Sequence, residues 1–293
     1  MTQHSTTTTT RKVQSNTPAA RVGRGVIYVI LAVVVVACLI PFVWLVRSSM
    51  MNTEQIFSYP PQWIPKPFEW SNFTGSMTSA PFGRYFLNTL TVVVLVVPGT
   101  ILATSAAAFA FPRLVWKGRT LCFWVCMATM MLPYAATLIP TFIGWQAIGA
   151  VDTYFPLVVP AWFAVGGASN IFMLRQFFLQ IPHELDEAMY VDGGSPWRVF
   201  WSVILPLNAG PLTLVGIFST IGAWNDLLGP LIYLSDQSKF TLSLGLASFR
   251  SLYSSQWGYL MAASLLVILP ILVLFAFAQR MMLGNVALTG LKG

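Results

Sequence analysis

Four of the nine carboxylates in this chain, Glu184, Asp186, Glu187 and Asp192, fall between Ile181 and Pro206, a polar interruption in an otherwise apolar sequence. Acids at that density, set between two membrane-length apolar stretches, call for a partner outside lipid. Hydrolytic or metal chemistry is a poor fit. The two histidines, His4 and His183, stand apart from any constellation of ligands. Cys122 and Cys126 share a helix face at i, i+4, yet no His or carboxylate lies near them in sequence. They read as free thiols among apolar side chains. No catalytic residue and no metal site is expected.

The elements that would position the acids are legible. Pro182 to Asp192 reads as a short helix, because Pro is tolerated in a first turn and Glu184, Asp186 and Glu187 favour the positive end of the helix dipole. Leu185, Ala188, Met189 and Asp192 follow i, i+3, i+4, i+7 and predict a narrow apolar stripe ending in an acid. Glu184, Glu187 and Val191 lie on an adjoining face. Gly193 and Gly194 stop the helix, since glycine takes the left-handed cap without a steric penalty. Ser195-Pro196 starts the next helix as N-cap and first residue. The expected product is a protruding helix–turn–helix elbow over about 181–206. A solvated connecting loop would explain the charge, but not the stripe or the paired stop and start signals.

Around the elbow the chain is 56% hydrophobic and 9% charged, which excludes an ordinary soluble domain. Runs of roughly 20 apolar residues are long enough to cross a ~30 Å hydrocarbon core as helices. Six are read, at about 26–46, 86–110, 121–143, 155–175, 205–228 and 258–279. The expected fold is all-α: a polytopic membrane protein with six transmembrane helices. With the N-terminus inside, eleven Lys and Arg fall in cytoplasmic segments and five in outer ones, which predicts both termini in the cytoplasm. The net charge of +7 is then mostly topology. No dense basic patch with interleaved aromatics supports nucleic-acid binding. Residues 1–25, with the run Thr6 to Thr10, read as a disordered cytoplasmic tail, and 26–293 as the transmembrane domain. No small-residue cleavage pattern closes the first apolar run, so it reads as an uncleaved anchor.

Several spans carry breaks: Pro98-Gly99, Pro133, Pro140, Pro156, Pro160 and Gly210-Pro211. Such breaks persist in a membrane where protein or a water-lined cavity satisfies the backbone. The first outer loop, about 47–85, is rich in Pro and aromatics, which predicts an extended, packed segment, either a lid or a docking surface. Asp226, at the outer end of the fifth span, is the one carboxylate close to a membrane region. A proton- or sodium-coupled carrier needs ionisable groups deep in its path. Energy for this chain is therefore expected from outside it.

Glu187-Ala188-Met189, three residues, Gly193, nine residues and Val203-Ile204-Leu205-Pro206 together resemble the EAA motif of bacterial ABC importer permeases, with Met189 and Val203 where the ideal pattern has Ala and Ile. Met131-Leu132-Pro133, Leu138-Ile139-Pro140, Asp152-Thr153-Tyr154, Leu174-Arg175-Gln176-Phe177-Phe178, Ala223-Trp224-Asn225-Asp226, Gln279-Arg280 and Gly290-Leu291-Lys292-Gly293 are similar to the carbohydrate branch, in particular its maltose-permease-like second subunit. The resemblance covers roughly 26–293.

It implies a non-catalytic permease in the bacterial inner membrane, forming half of a sugar pathway. Glu184, Glu187, Ala188, Met189, Asp192 and Gly193 would dock on a cytoplasmic ATPase dimer, which holds the ATP and Mg. No cofactor is expected on this chain, which carries no G-x-x-x-x-G-K-[ST] phosphate loop. A homologous second permease and an extracytoplasmic solute-binding protein would complete the importer. Trp224, Asn225 and Asp226 are the candidates for the substrate pathway or outer gate. A self-sufficient carrier or channel for a small polar solute is the alternative, and it leaves the elbow without a role.

Overall fold

A long apolar run in lipid must satisfy every backbone N–H and C=O within itself, so it folds as helix. The computed structural model describes residues 18–249 and 256–289, with side chains over 21–249 and 256–279. Among them the regular structure is entirely helical. The helices in chain order are α1 (Pro18–Ser49), α2 (Thr53–Ile56), α3 (Ser71–Ser79), α4 (Phe82–Arg113), α5 (Arg119–Ala128), α6 (Tyr134–Ala147), α7 (Phe155–Trp162) and α8 (Ala168–Leu179). They continue as α9 (Glu184–Val191), α10 (Pro196–Val199), α11 (Leu205–Leu207), α12 (Ala209–Asn225), α13 (Leu228–Tyr233), α14 (Leu242–Ala247) and α15 (Trp257–Thr289).

The six expected spans are realised unevenly. Arg21–Ser49, Phe82–Arg113 and Trp257–Gln279 are each long and apolar enough to cross a membrane alone. Two more qualify only as bent pairs, Arg119–Met131 with Tyr134–Ala147 at 105° and Pro196–Leu207 with Ala209–Asn225 at 81°. The run 155–175, expected as one helix, is divided into α7 and α8 by a turn in which Ala164 and Gly166 take φ of 55° and 76°. The helix α1 begins at Pro18, inside the segment 1–25 expected as a tail. Residues 1–17, Arg250 and the closing Gly290-Leu291-Lys292-Gly293 lie outside the described residues.

Proline explains the bend at 133 and the widened turn before α11. Pro133 breaks the third span because the ring disfavours helix in the residue before it, and Leu132 is extended at ψ 118°. Pro206 has no N–H to offer the Ser202 carbonyl, and the turn just before it, Phe200–Ile204, is π-helical. At the second bend Asn208 is buried, and its side chain donates to the Ile204 carbonyl at 2.8 Å.

The central mast is α4, packed against α7, α8, α12 and α14. At 32 residues it is about 48 Å long, enough to join two separate cores. At the elbow end Ala108 and Phe109 of α4 meet Ile171, Leu174 and Phe178 of α8, with Phe200 and Ile204 below them. At the far end Tyr85 and Val93 meet Trp224, Leu242 and Ala263. Between lipid-facing helices the gain comes from close packing rather than from escape from water. Gly99 shows this, since a Cβ there would lie 2.2 Å from the Trp162 ring.

The long loop between α1 and α4 contains two short helices, α2 and α3, packed against α15, which corrects the expectation of an extended segment throughout. Asn72 ties it down by donating to the Ser49 and Met51 carbonyls at 3.1 and 2.9 Å. Tyr59, Trp63 and Trp70 remain exposed on its surface.

Candidate functional site

The elbow forms as its punctuation dictates. Glu184, Asp186 and Glu187 occupy the first turn of α9. Its C-terminus closes in a Schellman arrangement: the Gly193 N–H donates to the Tyr190 carbonyl at 3.0 Å and the Gly194 N–H to the Met189 carbonyl at 2.8 Å. Gly193 has φ 79°, where an L side chain is strained. A Cβ on Gly194 would lie 2.7 Å from the Met189 carbonyl oxygen, so both glycines are needed for different reasons. Ser195 then caps α10, its Oγ accepting from the Arg198 N–H at 3.3 Å, with Pro196 first in the helix.

Of the predicted stripe, Leu185, Ala188 and Asp192 are exposed and Met189 is half-buried. Asp186 is 5% exposed and Met189 packs half-buried against the elbow-end core, so these two residues, three apart, point inward. The outward surface takes in Glu184, Glu187 and Val191 of the adjoining face together with Leu185 and Ala188 of the stripe; all are exposed, and Val191 is 87% so. Asp192 and Gly193 are exposed at the turn. Met189, expected to fill a partner's groove, is half-buried against the elbow-end core. The helix rotates this way because Asp186 finds a cation inside the fold.

That cation is Arg113, at the last turn of α4, which forms an ion pair with Asp186. The same guanidinium donates from Nη2 to the carbonyls of Phe178 and Ile181 at 2.8 and 2.7 Å. Those carbonyls stand at the C-terminal end of α8, the negative end of its dipole. One buried arginine therefore joins α4, the end of α8 and the first turn of α9. Sequence reading counted Arg113 only as topology and left Asp186 out of the site. The two are 73 positions apart, and no local spacing links them.

At the far end the candidates Trp224, Asn225 and Asp226 separate. Trp224 is a core residue, with its ring nitrogen donating to the Val267 carbonyl at 3.2 Å. Asn225 and Asp226 line a cavity of about 440 Å3 bounded by α4, α12 and the start of α13. Asp226 Oδ1 accepts the Gly229 N–H at 3.1 Å and shapes the turn into α13. Thr241, 2% exposed, lines the same cavity, and its hydroxyl has no partner among the described residues. It is a residue the sequence reading missed, because an isolated threonine carries no signal.

A second polar clasp joins the loop before α7 to the segment after α13. Asp152, in the left-handed region at φ 61°, accepts the N–H groups of Ser235 and Asp236 at 3.0 Å each and pairs with Lys239 Nζ at 2.6 Å. Those backbone donors, led by Asp236, followed by the ammonium of Lys239, pull its carboxyl down to about 2.

The profile of the family described as "Binding-protein-dependent transport system inner membrane component" matches residues 99–282. The diacetylchitobiose uptake system permease protein NgcG of Streptomyces coelicolor is 31% identical over 254 residues, covering 86% of this chain and 83% of that protein. The sn-glycerol-3-phosphate transport system permease protein UgpE of Yersinia pestis is 30% identical over 261 residues, covering 86% and 92%. A chain from the crystal structure of a bacterial ABC transporter involved in the import of the acidic polysaccharide alginate shares the fold, with a TM-score of 0.79 at 19% identity, covering 92% of this chain and 99% of that one. The matched segment takes in the α9 elbow, its Arg113 support and the Asn225–Asp226 cavity wall. The chain belongs to the family of binding-protein-dependent transport system inner membrane components.

Proposed function

We propose that this chain is one of two homologous permease subunits of an ATP-driven sugar importer in a bacterial inner membrane. It spans that membrane six times, α7 with α8 supplying the broken fourth crossing, with both termini in the cytoplasm. The observation that carries the reading is the outward face of α9, with Glu184, Glu187, Ala188 and Val191 exposed together on a helix clasped to α4 by a buried ion pair. A rigid, acid-edged apolar face of this kind suits a groove with basic edges, and the partner is a cytoplasmic ATPase dimer. ATP and Mg sit on that dimer. This chain carries no G-x-x-x-x-G-K-[ST] phosphate loop, so ATP hydrolysis is assigned to the partner.

Motion enters through α9 and leaves through α12. The segment 196–207 runs from the elbow to the 81° bend at Asn208, so a displaced elbow levers α12 and the cavity wall at its far end. Nucleotide can drive this only by binding the ATPase more tightly in one arrangement than in the other. An extracytoplasmic solute-binding protein delivers the sugar to the lid side, where Tyr59, Trp63 and Trp70 stand exposed. The pathway half contributed here includes Asn225, Asp226 and Thr241. A carboxylate and two neutral polar groups suit sugar hydroxyls and disfavour an anionic substrate. The proposed cargo is a neutral oligosaccharide.

The test is ATP-driven uptake into vesicles by the assembled importer, with Glu187→Arg in this subunit. Uptake and ATPase co-purification should both be lost while the variant still inserts. Undiminished uptake with the ATPase retained would overturn the docking assignment and favour a self-sufficient carrier. Uptake of a phosphorylated or uronic sugar in preference to neutral ones would overturn the cargo assignment alone.

A further inference from the structure

Beside the elbow, a cavity of about 360 Å3 opens where the last turn of α4 meets the first turn of α5 and the end of α8. Arg119 and Thr120 of α5 and Arg175 of α8 form its polar wall, and Phe123 and Trp124 its aromatic one. Neither arginine has an acidic partner among the described residues, since Asp186, the nearby buried carboxylate, is taken by Arg113. Arg119 donates from Nη1 to the Leu114 carbonyl at 3.1 Å, which leaves most of its fork unused. Arg175 is held with its guanidinium carbon 4.8 Å from the centre of the Phe123 ring, and its Nε is buried without an acceptor. Two fixed forks facing one hollow are matched to a phosphate, whose oxygens accept from each. The start of α5 adds to the field: its N-cap, Gly118, offers no side-chain acceptor, so the first-turn N–H groups are open to an anion.

The setting specifies what carries the phosphate. None of the residues of α5 is buried, and Leu121, Trp124 and Val125 are exposed along it. An anion held at the base of this helix therefore has an apolar surface running away from it. Exposed tryptophans at that level, Trp116 and Trp124, fit the interfacial belt of a bilayer.

We propose that this cavity binds the phosphate of an anionic phospholipid, with its acyl chains lying along α5. Assigning the lipid to the cytoplasmic leaflet rests on the orientation proposed above. The anion site itself does not, so a failed transport or topology assay leaves it standing.

The test is lipid retention by the purified full chain in detergent, read by native mass spectrometry during titration with dioleoylphosphatidylglycerol, dioleoylphosphatidylcholine or inorganic phosphate. The wild type should retain phosphatidylglycerol over phosphatidylcholine. Arg119→Gln with Arg175→Gln should weaken that retention on the order of tenfold, from the loss of two basic residues at a charged surface. Arg84→Gln, near the other end of α4, should leave it unchanged. Thr120→Glu, at an exposed position, places a like charge at the cavity mouth and should produce the same loss if the double variant fails to fold. Equal retention of the two lipids, or phosphatidylglycerol held undiminished by the folded double variant or by Thr120→Glu, would overturn the proposal. Inorganic phosphate displacing the lipid at equal concentration would show a site for soluble phosphate and overturn the lipid assignment.

Discussion

Arg113 and Asp186 form an ion pair whose side chains are 2% and 7% exposed, and through it the base of α4 holds the elbow helix in register. The pair is better read as a positioning device than as a source of stability. Taking two charges out of water costs several kcal/mol each, which their attraction only offsets when the remaining donors are satisfied. Here Arg113 Nη2 is satisfied twice by the end of α8, whereas Asp186 Oδ1 and Arg113 Nε have no partner among the described residues.

Removing one member should therefore hurt more than removing both. Asp186→Ala leaves a buried cation and should cost about 3–5 kcal/mol. The double variant Arg113→Met with Asp186→Leu should recover much of that in thermal unfolding of the detergent-solubilised chain. Equal losses for the single and double variants would argue against an uncompensated charge as the cause.

The two glycines of the turn should fail differently. Gly193→Ala meets open space but a left-handed backbone, with an expected loss of about 1–2 kcal/mol. Gly194→Ala drives a Cβ against the Met189 side chain and carbonyl and should displace α9 itself. Cross-linking efficiency between an engineered cysteine at Ala188 and the proposed ATPase partner should fall further for Gly194→Ala than for Gly193→Ala.

On α9, inward and outward substitutions should dissociate stability from coupling. Val191→Asp alters an exposed residue, so the unfolding midpoint should stay put while sugar-stimulated ATP hydrolysis drops at least tenfold. Met189→Asp buries an unpaired acid against the elbow-end core and should lower the midpoint first. A matched effect of the two on stability would contradict the rotation of the helix described here.

Asp152 predicts a pH dependence at the far end. Its carboxyl titrates at about 2 in the fold against an ordinary value of 3.8, so the folded state binds its proton less tightly than the unfolded chain does. The stabilisation is then fully present above the unfolded value and is lost as pH falls from about 4 through 2. The difference in unfolding midpoint between wild type and Asp152→Asn should be constant from pH 7 to 5 and shrink below pH 4. A difference that stays constant down to pH 2 would rule out the Lys239 and backbone clasp as its source.

At the cavity wall, Trp224→Ala should act as a core truncation and cost about 3–5 kcal/mol. Asn225→Ala should leave stability within about 0.5 kcal/mol and raise the sugar concentration needed for half-maximal uptake. The reverse pattern would return Trp224 to the pathway.

Local chemistry was sufficient for the elbow's existence and its ends. Gly193 must turn left-handed, Ser195 must cap and Pro196 must begin a helix whatever surrounds them, so residues 181–206 were legible from their order alone. The apolar runs were legible for the same reason, as length and the need for internal hydrogen bonds leave only helix. Their continuity was not. Pro133, Asn208 and the turn at 163–167 break spans whose composition stays apolar throughout, and hydropathy does not distinguish a straight helix from a bent pair. The direction α9 faces was decided only in three dimensions, because a helix with acids on several sides turns towards whichever cation the fold brings to it. Arg113 arrives on α4, 73 positions earlier, and selects Asp186, leaving Glu184, Glu187, Ala188 and Val191 outward. Trp224, Asn225 and Asp226 show the same division at the other end. The sequence sets three polar or aromatic neighbours in a row, and the termination of α12 sends the first into the core and the other two to the cavity.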